Sequence, residues 1–207
     1  MTFSAVILAG GKSKRMGRDK ATLKIGGAPL ITQIVNKLKL AGCNKIIIQV
    51  KSNEQKETFS SLLSGIEIIW GFDDDEQGDV LEALKCALNL AKSKNWKVIQ
   101  LVPIDTPYVS SKLFENVYGL LTDEIDVIIP SSNSSKNTPS RGLEPLLSCF
   151  KIEPVLLKIL ESMENDDRRL AKIFCEMNHK IITPTQWKKW GVSDKSFKNL
   201  NTPKDCE

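Results

Sequence analysis

The sequence predicts an α/β fold, a doubly wound and mostly parallel sheet with helices on both faces. Short, near-continuous runs of isoleucine, valine and leucine recur along the 207 residues, and amphipathic segments with helical spacing separate them. Strands covered on both faces read as such runs, because neither face meets water. In addition, the first apolar run leads directly into a loop dense in glycine and basic residues. Doubly wound sheets bind ligands beyond the carboxyl ends of their strands, so this loop marks the expected binding edge.

Ala5-Val6-Ile7-Leu8 reads as the first strand, and the loop behind it carries three glycines, two arginines and three lysines between positions 8 and 20. Glycines let backbone amides approach a ligand, and the cations favour phosphate. A helix over 29–38 follows, with Leu30, Ile31, Ile34, Val35 and Leu38 on one face, proline in its first turn and Gly42 as its stop. Residues 45–50 predict a second strand, 54–63 a helix and 66–70 a third strand. A helix over 79–91 turns Val80, Leu81, Leu84, Leu88 and Ala91 inward; residues 98–102 form a fourth strand, Ser110 opens a helix, and 126–130 form a fifth strand. The serine- and asparagine-rich stretch 131–142 predicts a mobile loop, with a domain linker as the alternative, and 143–150 a further strand. Helical segments at 154–164, 168–174 and 184–190 extend the same core, so residues 1–207 are expected to form a single domain. The loop at 9–20 and those after the second, third and fourth strands should surround one crevice.

Composition narrows the function. A net charge of +4, with Lys and Arg spread along the chain, disfavours a nucleic-acid partner and suits a local anion site. No stretch approaches the roughly 20 apolar residues that span a bilayer, and the N-terminus lacks the shape of a signal peptide, so a cytoplasmic location with no membrane partner is expected. The five scattered cysteines predict reduced thiols, several of them in the core. His179, the sole histidine, lies in a polar stretch and reads as a surface residue, so neither a zinc site nor histidine catalysis is expected.

The glycine loop is neither of the two commonest phosphate loops: Gly17 is followed by Arg18-Asp19 rather than Lys-Ser/Thr, and Gly10 and Gly11 are adjacent. Further on, Val102-Pro103-Ile104-Asp105-Thr106-Pro107 sets a carboxylate between two prolines at the end of the fourth strand. A fixed hard oxygen beside phosphates suits Mg²⁺, which takes few protein ligands. Helix capping is the plainer role for Asp105, although Ser110 is better placed for it.

Residues 8–20 resemble L-A-G-G-x-S-x-R-M-G-x-D-K, the signature of the molybdenum cofactor guanylyltransferases and their nucleotidyltransferase relatives, over thirteen consecutive positions. Asn199-Leu200-Asn201-Thr202-Pro203-Lys204-Asp205 resembles the N-x-N-T-P-x-D box of the same family. The resemblance implies a Rossmann-like nucleotidyltransferase fold and transfer of GMP from GTP to the terminal phosphate of molybdopterin, the molybdenum cofactor precursor. It implies that Leu8, Ala9, Gly10 and Gly11 line the nucleotide site, and that Arg15 and Lys20 grip the triphosphate. Asp105 would bind Mg²⁺, with Asn199 or Asn201 nearby, and cofactor-delivering and molybdoenzyme proteins would be partners. Gln49 takes the place of a nucleotide-contacting asparagine, and of Asp73, Asp74 and Asp75 the first is chosen as the acid contacting the nucleotide. Gly10 and the middle and last boxes follow the guanylyl rather than the cytidylyl pattern. One departure stands out: where the family shows G-P-L-x-G, this chain has Gly78-Asp79-Val80-Leu81-Glu82, which brings two acids to the pocket rim. Two alternatives stay open, a different phosphate acceptor such as a sugar phosphate and a non-catalytic GTP-binding accessory module.

Overall fold

The computed structural model describes residues 2–10, 19–75, 78–132 and 142–200. β1 (Phe3–Leu8) is followed, beyond the basic loop, by a short ribbon of β2 (Lys24–Ile25) and β3 (Ala28–Pro29). Helices and strands then alternate: α1 (Leu30–Leu40), β4 (Cys43–Val50), α2 (Asn53–Leu62), β5 (Ile69–Phe72), α3 (Val80–Ser93), β6 (Val98–Pro103), α4 (Ser111–Tyr118) and β7 (Val127–Pro130). β8 (Cys149–Lys151), α5 (Ile152–Glu164), α6 (Leu170–Cys175), β9 (His179–Ile182) and α7 (Pro184–Lys189) complete the order. Seven strands form one sheet in the order β5-β4-β1-β6-β8-β7-β9. β1 is parallel to β4 and β6, β4 to β5, and β7 to β9, whereas β8 is antiparallel to both of its neighbours. The doubly wound, mostly parallel sheet is thus as the sequence predicts.

Successive side chains on a strand point to opposite faces, and β1 divides the core accordingly. Ala5 and Ile7 pack with residues of α1, α2, α4 and α7, while Val6 and Leu8 pack with residues of α3, α5 and α6. α1 has no side-chain N-cap, but Leu30, Ile31, Ile34, Val35 and Leu38 are fully buried. Burial of each such side chain contributes about 1.5–3 kcal/mol, more than the ~1 kcal/mol a cap supplies, so packing rather than capping holds this helix. Gly42, at φ 91°, lets the chain turn from α1 into β4.

Several boundaries differ from expectation. Pro29 ends β3 and precedes α1 instead of entering its first turn. The third expected strand lies at 69–72, three residues late at its start. The strand expected over 143–150 is instead a single 3-10 turn at Pro145–Leu147 and the three residues of β8, because Pro145 lacks the N–H that a ladder needs. Ser110 precedes α4 as expected but makes no side-chain capping bond. His179 is not a plain surface residue: it is half-buried at the start of β9, with Nδ1 3.0 Å from the Met177 carbonyl. Most of the expected mobile loop, 133–141, lies outside the described residues. Cys43 and Cys149 are buried free thiols, and burial pushes Cys43 up to about 12, which keeps it protonated. No described helix is long and apolar enough to cross a membrane.

Candidate active site

The carboxyl ends of β1, β4, β5 and β6 open onto a cavity of about 320 Å³ lined by residues at or just past each of them, by Asp19 and Lys20, by the start of α3 and by Leu146. The crevice therefore lies where the loops after the first four predicted strands were expected to meet. Leu8, Ala9, Gly10, Lys20, Gln49, Asp73 and Asp105 all line it. Gly11, Arg15 and Asn201 lie outside the described residues. Asn199 is described, but it is exposed and does not line the cavity.

On the β5/β4 flank, Gln49 is almost fully buried and its Nε2 donates to Asp73 Oδ1 at 2.9 Å. The Asp73 amide donates to the Val50 carbonyl at 3.0 Å, so both backbone and side chain of Asp73 are fixed. Asp74 and Asp75 do not line the cavity. Burial raises the Asp73 carboxyl above its ordinary range, opposed by the Gln49 hydrogen bond and by the nearby Lys51 charge. Gln49 Oε1 is buried with no hydrogen-bond partner among the described residues, and it fills the space that a Cβ on residue 71 would occupy. Gly71 is therefore a condition for this long side chain. Position 10 is crowded too, though less so: a Cβ there would stand 2.9 Å from both Asp73 Oδ2 and Lys51 Cγ. The glycine thus makes room first for protein atoms.

On the β6 flank the sequence boxes touch one another. Lys20 Nζ donates to the Leu200 carbonyl at 2.7 Å and lies 3.5 Å from Asp105 Oδ2. The Leu200 amide in turn donates to the Asp105 carbonyl at 2.9 Å. Thr106 Oγ1 donates to the Pro103 carbonyl at 3.1 Å, and Lys37 Nζ donates to the Pro107 carbonyl, so Asp105 stands on a braced turn. It caps no helix. Among the described residues no group of three or more His, Cys, Asp or Glu could enclose a metal. A single carboxylate, a quarter exposed and open to the cavity, nevertheless fits Mg²⁺ shared with phosphates and water.

Asp19 joins the two flanks. Its Oδ1 accepts from the Ala21 amide at 3.0 Å, and its Oδ2 accepts from Gln55 Nε2 at 2.6 Å. Gln55 Oε1 in turn accepts from the Lys51 amide at 2.8 Å. Burial raises the Asp19 carboxyl, against the two hydrogen bonds that lower it.

The acids of the Gly78-Asp79 departure are already engaged. Asp79 Oδ1 caps α3, accepting from the Leu81 and Glu82 amides at 2.9 and 3.1 Å. Arg168 lies 3.4 Å from Asp79 and 3.7 Å from Glu82, and Lys85 lies 2.6 Å from Glu82. Sequence reasoning missed Lys51, Gln55 and Leu146. It also missed Glu144, whose carboxyl is raised by burial and by the charge of Asp105 while a Ser132 hydrogen bond lowers it. Lys51 could have been found as the first residue past a strand end. The 144–146 segment enters through β8, whose antiparallel course no periodicity announces.

Residues 5–180 match the family described as the MobA-like NTP transferase domain. The probable molybdenum cofactor guanylyltransferase of Natronomonas pharaonis is 26% identical over 205 residues, covering 99% of this chain and 95% of that protein. The molybdenum cofactor guanylyltransferase of Vibrio atlanticus is 26% identical over 203 residues, covering 98% and 92%. Among solved structures, molybdopterin-guanine dinucleotide biosynthesis protein A from Archaeoglobus fulgidus superposes with a TM-score of 0.75 at 21% identity, covering 99% of this chain and 95% of that one. That likeness is one of fold.

Proposed function

Because the chain belongs to the MobA-like NTP transferase domain family and is a nucleotidyltransferase, we propose that it transfers GMP from GTP to the terminal phosphate of a molybdopterin-type cofactor, releasing pyrophosphate. The observation that carries this reading is the meeting of Lys20, Asp105 and Leu200 on one flank of a cavity whose other flank holds Gly10, Gln49 and Asp73. The names of the relatives support the choice of substrates.

An acceptor phosphate is already ionised at neutral pH, so no general base is required. Its oxygen attacks the α-phosphorus of GTP, the bond to the β-phosphate oxygen breaks, and pyrophosphate departs with the electron pair. What the protein supplies is alignment and neutralisation of the leaving charge. Lys20 and Arg15 are assigned to the β- and γ-phosphates, with Leu8, Ala9, Gly10 and Gly11 along the nucleoside. Asp105 would hold Mg²⁺, with Asn199 and Asn201 in its vicinity; the bound ion would neutralise phosphate charge. Asp73, acting with Gln49, offers the base a fixed acceptor. Guanine presents two adjacent N–H donors on its Watson–Crick edge, whereas cytosine presents an acceptor beside its single amino group, which favours GTP over CTP. Asp79 and Glu82 are taken up by cap and ion pairs, and nothing else observed favours a non-catalytic accessory role. A cytoplasmic enzyme fits these substrates.

The test is a matrix of the four nucleoside triphosphates against molybdopterin-type cofactor and sugar phosphates, read by pyrophosphate release. Release is expected with GTP and the cofactor. Turnover with a sugar phosphate instead would replace the acceptor, and GTP binding without release in any combination would overturn the enzymatic reading.

A further inference from the structure

We propose that Gln55 is a positioning residue: with Asp19 it forms a latch that sets Lys20 against Asp105 and so couples the base flank of the site to its phosphate flank. The inference rests on Lys20 meeting the triphosphate, and it adds a residue that does not line the cavity.

Lys20 opens a single 3-10 turn, Lys20–Thr22, whose N-cap is Asp19. A turn this short has little cooperativity of its own, so its orientation depends on what holds its cap. The two Asp19 oxygens divide that work, Oδ1 fixing the turn through Ala21 and Oδ2 receiving the 2.6 Å bond from Gln55. Gln55 sits in the first turn of α2 and accepts from the Lys51 amide with its other amide atom. Lys51 lines the base side of the cavity and stands against Gly10. One carboxamide therefore ties the end of β4 to the cap of the Lys20 turn.

The chemistry at position 55 is demanding. The side chain must accept from an amide and donate to a carboxylate at once. A carboxylate there would meet Asp19 as a like charge, and an aliphatic side chain would satisfy neither partner. Asp19 is partly buried, so without the Gln55 donor its carboxylate gains by turning to water. The turn would then lose its cap, and the Lys20 ammonium its fixed place beside Leu200 and Asp105.

The experiment titrates the full chain with GTP and with GMP by calorimetry, for the wild type, Gln55→Leu, Gln55→Glu, Asp19→Asn and the double exchange Asp19→Asn/Gln55→Glu. Each single variant is expected to weaken GTP about tenfold, the equivalent of one lost charge-assisted bond, and GMP less than about twofold. In the double exchange the amide at position 19 donates to the carboxylate at position 55, which still accepts from the Lys51 amide, while the position 19 oxygen still accepts from Ala21. Its GTP-to-GMP affinity ratio should return to within about twofold of wild type. Equal losses for GTP and GMP, or a double exchange no better than its weaker parent, would overturn the latch alone. A wild-type chain that does not bind GTP would overturn the proposed function with it.

Discussion

Gly10→Ala tests the base flank most directly, because the new methyl group has nowhere to go. A Cβ at this position stands 2.9 Å from Asp73 Oδ2, 2.9 Å from Lys51 Cγ and 3.4 Å from Lys51 Cε. Separations below about 3 Å force a shift, and the two neighbours differ in how readily they yield. The Lys51 stem can leave at the cost of an off-rotamer torsion, about 0.5–1.5 kcal/mol. Asp73 is held by the 2.9 Å bond from Gln49 and by its own backbone bond to Val50. Withdrawing its carboxylate by a few tenths of an ångström weakens a charge-assisted bond worth about 1.5–3 kcal/mol. If Asp73 reads guanine, kcat/KM for GTP should fall about tenfold or more, since about 1.4 kcal/mol is a factor of ten. Cytosine can offer that acceptor only its single amino group, so CTP should lose less and the GTP-to-CTP ratio falls. Parallel kcat/KM measurements by pyrophosphate release supply the answer. Adding Lys51→Ala to Gly10→Ala relieves only the lysine contact and should restore little. A ratio that stays fixed, or a full recovery in the double variant, would refute the assignment of base choice to Asp73.

Asp105→Ala should abolish turnover with little change in melting temperature, because the carboxylate faces the cavity rather than the core, and chelation of divalent ions should silence the wild type to the same level; an active Asp105→Ala variant removes the metal assignment. Lys20→Ala and Arg15→Ala should each weaken GTP by about 1.5–3 kcal/mol and GMP by much less, and equal losses would place neither side chain at the β- and γ-phosphates. Burial raises Asp73 in the folded state above its unfolded value of 3.8, so the folded chain holds this proton more tightly than the unfolded one. The stability it contributes is complete below the unfolded pKa and lost as pH rises through the folded one, so the ionised group opposes folding at neutral pH. Asp73→Asn keeps the acceptor for Gln49 and should raise the melting temperature near neutral pH, the gain fading as the medium is acidified, while GTP binding is lost. A lower melting temperature at neutral pH would show that burial does not dominate there.

What could be read from the chain follows the physics of its strands. Ile7, Ile47 and Leu101 are apolar because both sheet faces are covered, so β1, β4 and β6 were legible as continuous runs. β5 was placed too early because Ile66 and Ile68, which pack against the core ahead of the strand, prolong its apolar run, while Gly71 within the strand carries no apolar side chain. The glycine is there to admit the Gln49 side chain, a tertiary requirement that no local pattern carries. β9 was hidden because His179, Lys180 and Ile181 are only partly buried at the sheet edge, where polar residues are tolerated. The two-residue strands β2 and β3 are too short for any period to show. In the site, residues on strand ends and in boxes of unusual composition were legible, Asp105 and Lys20 among them. Among Asp73, Asp74 and Asp75 the first was chosen on the resemblance, and its bond from Gln49 is a tertiary contact that the sequence does not announce. Gln55 carries no signal at all, being one polar residue in the polar first turn of a helix.

The bond between Lys20 and the Leu200 carbonyl spans 180 positions in the chain. The strands that frame the base flank are synthesised early and pair with one another, whereas Leu200 follows every strand of the sheet. During vectorial synthesis, where the N-terminal part emerges first, the flank built on β1, β4 and β5 is made well before the partner of Lys20 at residue 200. If Lys20 meets the triphosphate as proposed, the Leu200 carbonyl that helps to hold its ammonium is among the last parts of the site to be made.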